Sequence, residues 1–198
     1  MYMYTLKNKL LVAMPNMADP YFSKSVIFIC EYNKNGAIGF IINKPISTMK
    51  VLSSGIKDKF FKDLISQSQK IYFGGPVSIH EACVLSNENI EDVSFETNET
   101  VKLSNDFELI KKILFDDKEF KNTKLLFGHS SWEKNQLDNE IKNGDWLVHD
   151  SLENLFEKNP KTLWRDLIKL FGFDKFKMTG ISGVSWAKKP TNLIMGYY

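Results

Sequence analysis

Hydrophobic positions along this chain fall into runs of two kinds. Residues 25–33 and 36–43 are almost continuously apolar at their centres, with Asn33-Lys34-Asn35-Gly36 between them. Such runs, joined by residues that tolerate φ > 0, predict the two strands of a hairpin, and apolar character on both faces predicts a sheet covered on both sides. Residues 10–14, stopped by Pro15, and 70–73, stopped by Gly74-Gly75-Pro76, read as further strands, as do 82–85, 99–102, 124–128 and 145–149. Other stretches carry helical spacing. Ile56, Phe60 and Leu64, with Phe61 and Ile65 beside them, mark one face over 56–65; Phe107, Ile110 and Leu114, with Ile113, mark another, with Ser104 as its cap. Short capped helices are expected near 47–52 and over 151–156, and a longer one over 160–171 with Pro160 in its first turn.

The junction after residue 128 is the most informative. Gly128 closes a short apolar strand, and Ser130-x-x-Glu133 has capping-box spacing, which predicts a helix beginning near Ser131 with the Ser130 hydroxyl as its cap. Leu137 and Ile141 would face the core, Glu133, Gln136 and Glu140 would form a separate polar face, and Gly144 would end the helix in the left-handed region. His129, Ser130, Ser131, Trp132, Glu133 and Gln136 are therefore the candidate ligand-binding residues, because free amides at a helix start attract anions.

Composition narrows the class. With 198 residues, 43% of them hydrophobic, a single domain over 1–198 is expected, with 175–198 a weakly patterned C-terminal extension. A net charge of +2 from 26 basic and 24 acidic residues gives no footprint for nucleic acid. No apolar run approaches the roughly 20 residues of a spanning helix, and the first residues lack the pattern of a secretory signal, so a cytoplasmic protein without a membrane partner is expected. Cys30 and Cys83 have no CxxC spacing; the apolar strand around each predicts that Cys30 is buried and not bonded to Cys83.

Taken together, several short motifs resemble the AlgH/YqgE family of bacterial proteins. They are Leu11-Val12-Ala13-Met14-Pro15 with Asp19-Pro20 and Phe22; Ile29-Cys30-Glu31 and Asn33; Asn35-Gly36-Ala37-Ile38-Gly39 with Asn43-Lys44-Pro45; Gly74-Gly75-Pro76; and Gly128-His129-Ser130-Ser131-Trp132 with Gln136-Leu137, Glu140 and Trp146-Leu147. The resemblance runs from residue 11 to about 172. It implies an α+β fold with a mixed, largely antiparallel bifurcated sheet folded into a pseudo-barrel and flanked by helices. It also brings a transcriptional-regulator label, tied to control of alginate production, that supplies no mechanism. The chain departs from the family pattern at the end, where Gly180-Ile181-Ser182-Gly183-Val184-Ser185-Trp186 replaces a glycine-rich, His-containing terminus.

Catalytic signatures are sparse. A nucleophile elbow fails because Trp132 stands where the second glycine belongs, and neither a phosphate loop nor a dinucleotide fingerprint is present. His80, His129 and His149 lack ligand spacing, so no metal and no cofactor is expected. The 131–143 helix is acidic and the 160–171 helix mixes signs, which disfavours direct DNA binding. Two classes remain: a non-enzymatic regulatory or interaction protein with an unknown protein partner, and a protein with a small-anion-binding or enzymatic role at the 128–133 strand-to-helix junction.

Overall fold

The computed structural model describes residues 5–46, 71–88, 90, 95–96, 101–115, 122–150 and 154–173. In chain order its elements are β1 (Lys9–Ala13), β2 (Val26–Asn33), β3 (Gly36–Ile41), β4 (Ile71–Phe73), β5 (Val77–Ser86), β6 (Phe95–Glu96), β7 (Lys102–Ser104), α1 (Phe107–Phe115), β8 (Thr123–Glu133), α2 (Gln136–Asn143), β9 (Trp146–Asp150) and α3 (Pro160–Leu170). The helices expected near 47–52 and over 56–65 lie outside the described residues. So does the start of the one expected over 151–156, of which residues 154–157 form a turn.

The expected hairpin forms. β2 and β3 pair antiparallel from Ile27↔Ile41 to Asn33↔Gly36, with a register shift between Ile29 and Glu31, and the Asn33 side chain accepts the Asn35 amide at 2.8 Å in the turn. Strands follow the order β6-β7-β5-β8-β3-β2-β1-β9, open at β6 and β9, with β4 off this path. Every pairing is antiparallel except that of β4 with β8, so the α+β class holds.

The sheet forks along β8. Its C-terminal end pairs with β3, from Gly39↔Ser130 to Gly36↔Glu133, and its N-terminal end pairs with β4, from Ile71↔Leu125 to Phe73↔Phe127. As β3 diverges, β4 fills the wedge: the Ile41 amide donates to Gly74 O, the Phe73 amide to Lys44 O and the Gly74 amide to Phe127 O. The chain then crosses β8 through Gly74-Gly75-Pro76 and starts β5 on the opposite edge, where Val77 pairs with His129. That crossing explains the double glycine. A Cβ at Gly75 (φ 155°) would lie 2.2 Å from the His129 carbonyl carbon, and one at Gly128 (φ 70°) 2.3 Å from Gly75 O, so two backbones touch where no side chain fits.

Alternation along the strands sends side chains into two cores. Leu11, Ala13, Ile27 and Ile29 face one, closed by Leu109 and Ile113 of α1 and Leu137 of α2. Leu10, Val12, Val26 and Phe28 face the other, closed by Leu163, Leu167 and Ile168 of α3. Both cores are apolar, as the unbroken hydrophobic runs require. α3 starts as expected, with Pro160 in its first turn and the Asn159 side chain accepting the Lys161 amide at 3.0 Å. α1 corrects an expectation: its cap is Asp106, whose carboxylate accepts the Leu109 amide at 2.7 Å, whereas Ser104 ends β7 and accepts the Asp106 amide at 3.1 Å. Asp106 stands three residues before the amide it caps, the reach that a capping side chain has.

Candidate functional site

The 128–133 junction is not a helix start. β8 continues to Glu133, because the free edge of β3 supplies partners for Ser130, Ser131, Trp132 and Glu133. Burial alternates with period two: Ser130 and Trp132 are buried, Ser131 and Glu133 exposed, and His129 half-buried. The expected capping box is therefore wrong. Ser130 points into the core, its hydroxyl 3.5 Å from Gly74 O, and the helix begins at Gln136 after Asn135, which takes the left-handed conformation (φ 62°) and offers no side-chain cap. The Glu133 amide instead donates to Gln136 Oε1 at 2.9 Å. Ser-x-x-Glu spacing fits an alternating strand as well as a capping box, and cross-strand pairing decided the outcome.

The expected polar face is occupied. Glu140 Oε2 accepts the indole N–H of Trp132 and that of Trp146, both at 2.8 Å, while Oε1 accepts from Gln136 Nε2 at 2.9 Å. One carboxylate thus ties β8, α2 and β9 together. The two indoles meet edge to face at 6.3 Å, and Phe22 meets Trp146 edge to face at 5.7 Å. As expected, Leu137 is buried, Ile141 packs against the same core and Gly144 (φ 82°) closes the helix.

Other motif residues are braces as well. Asn43 Oδ1 accepts the Val26 amide at 2.7 Å and its Nδ2 donates to Lys24 O at 2.9 Å. Asp19 caps the Tyr21 and Phe22 amides at 2.8 and 3.0 Å, and Lys44 Nζ donates to Tyr21 O at 2.6 Å. Burial brings the Lys44 amine down to about 8, against the opposing pull of Asp19. Cys30 is buried and unbonded to Cys83, which is half-buried; burial above all raises the Cys30 thiol well above its ordinary range and pushes Cys83 up to about 12, which disfavours the thiolate at both.

What the fold brings together is a cleft of about 290 Å³ between the β2–β3 turn and the start of α2. Ala37 and Leu137 lie at its base; Tyr32, Lys34, Glu133 and Asp138 supply its polar groups. Tyr32 donates its hydroxyl to Asp138 Oδ1 at 2.7 Å, fixing the turn against the helix. Of the six candidates only Glu133 lines this cleft, with Gln136 next to it through the Glu133 amide; His129 lies farther along β8, against the Phe40 ring at 6.4 Å. Tyr32, Lys34 and Asp138 were not marked by the sequence, since nothing local signals a pairing across 106 positions. Among the described residues no group of three His, Cys, Asp or Glu side chains could hold a metal, and no helix is long and apolar enough to cross a membrane.

A family model described as AlgH-like matches residues 10–175. This chain belongs to the AlgH-like family. Its relatives include the UPF0301 protein YqgE of Escherichia coli, 32% identical over 188 residues that cover 90% of this chain and 98% of that protein. A UPF0301 protein of Klebsiella pneumoniae is 33% identical over the same shares. The AlgH-like fold is seen in the solution structure of the AlgH protein from Pseudomonas aeruginosa, which aligns with a TM-score of 0.63 over 93% of this chain and all of that one at 23% identity. Protein DIP2367 from Corynebacterium diphtheriae aligns at 0.57, over 86% and 89%, at 20% identity. The forked sheet and the Trp132–Glu140–Trp146 clamp are how this AlgH-like chain uses the motifs that placed it in the family.

Proposed function

We propose that this chain is a cytoplasmic, non-enzymatic interaction protein with a regulatory role, and that it meets its protein partner at the cleft between the β2–β3 turn and α2. One observation carries the reading: this cleft joins an apolar base, Ala37 and Leu137, to a rim of both signs, Lys34 against Glu133 and Asp138. Such a mixture suits recognition of another chain. Supporting it, the polar residues of the family motifs, Glu140, Asn43 and Asp19, spend their hydrogen bonds on the scaffold.

The test reverses the exposed rim charges with Lys34→Glu and Glu133→Lys. Affinity capture from cell extract should retain a partner on the parent protein and lose it on the double variant, with the circular-dichroism spectrum unchanged. Equal capture by both proteins refutes the placement.

A second reading has its own observation. Asn135 provides no side-chain cap, so the first-turn amides of α2 adjoin the cleft beside Lys34, an arrangement suited to a small anion. Glu133 and Gln136 would then be its neighbours, while His129, Ser130, Ser131 and Trp132 shape the strand behind them. A thermal-shift screen with phosphate and small carboxylates separates the readings: an anion at a hundred times its Kd stabilises the fold by about 2.7 kcal/mol, and Lys34→Glu should abolish that gain.

A further inference from the structure

The cleft between the β2–β3 turn and α2 keeps its two signs of charge on different elements. Its two carboxylates are Glu133, at the end of β8, and Asp138, in the first turn of α2, while its one ammonium, Lys34, belongs to the hairpin turn. The lining is therefore net acidic. Both carboxylates are set in place by the fold. Asp138 Oδ1 accepts the Tyr32 hydroxyl at 2.7 Å, and Glu133 is held by its pairing with Gly36 across the sheet and by its amide, which donates to Gln136 Oε1 at 2.9 Å. The floor is apolar and sealed, with Ala37 4% exposed and Leu137 2%. Tyr32 adds an aromatic side chain to the wall. At about 290 Å³ the space admits one long side chain, whereas a helix about 10 Å across does not enter it.

Paired acceptors above an apolar floor suit a long cationic side chain, whose methylenes lie on the floor while its head meets the carboxylates. An apolar anchor from a partner would strip water from both carboxylates and supply no counter-charge. A guanidinium fits better than an ammonium. Its planar fork of five N–H donors serves two carboxylates at once, stacks on an aromatic side chain and is more weakly hydrated. We propose that the occupant of this cleft is an arginine side chain of the partner protein, with Glu133 and Asp138 as its acceptors. The inference rests on the cleft being the partner site, as proposed above, and names the chemistry of what enters it. Lys34 then supplies selectivity: it repels an isolated guanidinium and favours an arginine that has an acidic neighbour.

The probe is the peptide acetyl-Ala-Arg-Ala-amide, titrated into the isotope-labelled full-length protein and followed by the amide resonances. The citrulline peptide, alike in shape and without the charge, is the control. The amides of Ala37, Glu133, Leu137 and Asp138 should shift saturably, and the arginine peptide should bind at least about fivefold more tightly than the citrulline peptide, an advantage that salt reduces. Lys34→Glu adds a third carboxylate to the rim and should tighten the arginine probe about two- to fivefold. Glu133→Gln and Asp138→Asn preserve shape, and the latter keeps an acceptor for the Tyr32 hydroxyl; each should weaken the probe. Absence of shifts up to about 20 mM peptide, or equal affinity for the two peptides, overturns the proposal. Weaker binding to Lys34→Glu overturns it as well. Capture from extract that is lost on the charge-reversed double variant while the probe fails to bind sinks the arginine and leaves the partner site standing. Probe binding with capture unchanged does the reverse: the partner site falls and the selectivity of the cleft for arginine stands.

Discussion

At the residue scale the strongest claim concerns Glu140. Its carboxylate is the shared acceptor of two half-buried indole N–H groups, and truncation leaves both donors without a partner. Glu140→Ala should cost about 2–4 kcal/mol in urea unfolding, whereas Glu140→Gln, which keeps one carbonyl oxygen for the indoles, should cost about half as much. Ser130→Ala should cost less than about 0.5 kcal/mol, below the ~1 kcal/mol of a lost cap, since the one hydrogen bond of its hydroxyl among the described residues is a long one to Gly74 O. Lys124, buried on β8, gives a pH signature. Burial makes its amine lower in the folded state than in the unfolded chain, so between about pH 8 and 10.5 the unfolded state binds more protons and folding is favoured as pH rises. The stability of the parent relative to Lys124→Met should therefore rise through that window; a flat or falling difference would show the amine to be unperturbed. The sequence marked Glu133, Gln136 and Glu140 as one polar face and Trp132 as a candidate beside it, but the joint role of Trp132, Gln136 and Glu140 was not legible. Each role depends on Trp146 and β3, partners that only the folded sheet supplies.

At the element scale, glycine position separates tolerated from intolerable change. Gly75→Ala and Gly128→Ala each drive a Cβ into backbone at the crossing and should abolish soluble folded protein. Gly144→Ala meets nothing within 4 Å and should cost only about 1–2 kcal/mol, the strain of a left-handed residue, measured by thermal unfolding. Most strands, the closing Gly144 of α2 and the first-turn Pro160 of α3 were legible, because turn residues and hydrophobic period are local facts. The reach of β8 was not. Residues 125–127 are apolar and announce a strand, while 129–133 mix His, Ser, Trp and Glu and stay extended because β3 lies beside 130–133. The crossing itself showed in the sequence only as the Gly74-Gly75-Pro76 stop after 70–73.

For the whole molecule, two-sided burial followed from the apolar runs, the α+β class and the forked sheet came in outline from the family resemblance, and the strand order was set by long-range pairing alone. α3 packs on the second core with Leu163, Leu167 and Ile168 and anchors to β1 through the Trp164 indole, which donates to Ala13 O at 2.7 Å. Removing residues 159–198 should thus convert the protein into a dye-binding, loosely packed state that retains strand signal but loses near-ultraviolet dichroism; a sharp unfolding transition in the truncated chain would contradict this.

The position of β8 also sets a timetable for synthesis. β8 lies between β5 on one edge and β3 and β4 on the other, so three earlier strands wait for a later one. On the ribosome, elongating at about 5–20 residues per second, the interval between completing Ser86 and completing Glu133 is roughly 2–10 s. During it the β2–β3 hairpin, β4 and β5 present unpaired edges to solvent. The nascent chain is consequently most exposed to misassociation, and most in need of a chaperone, in that interval.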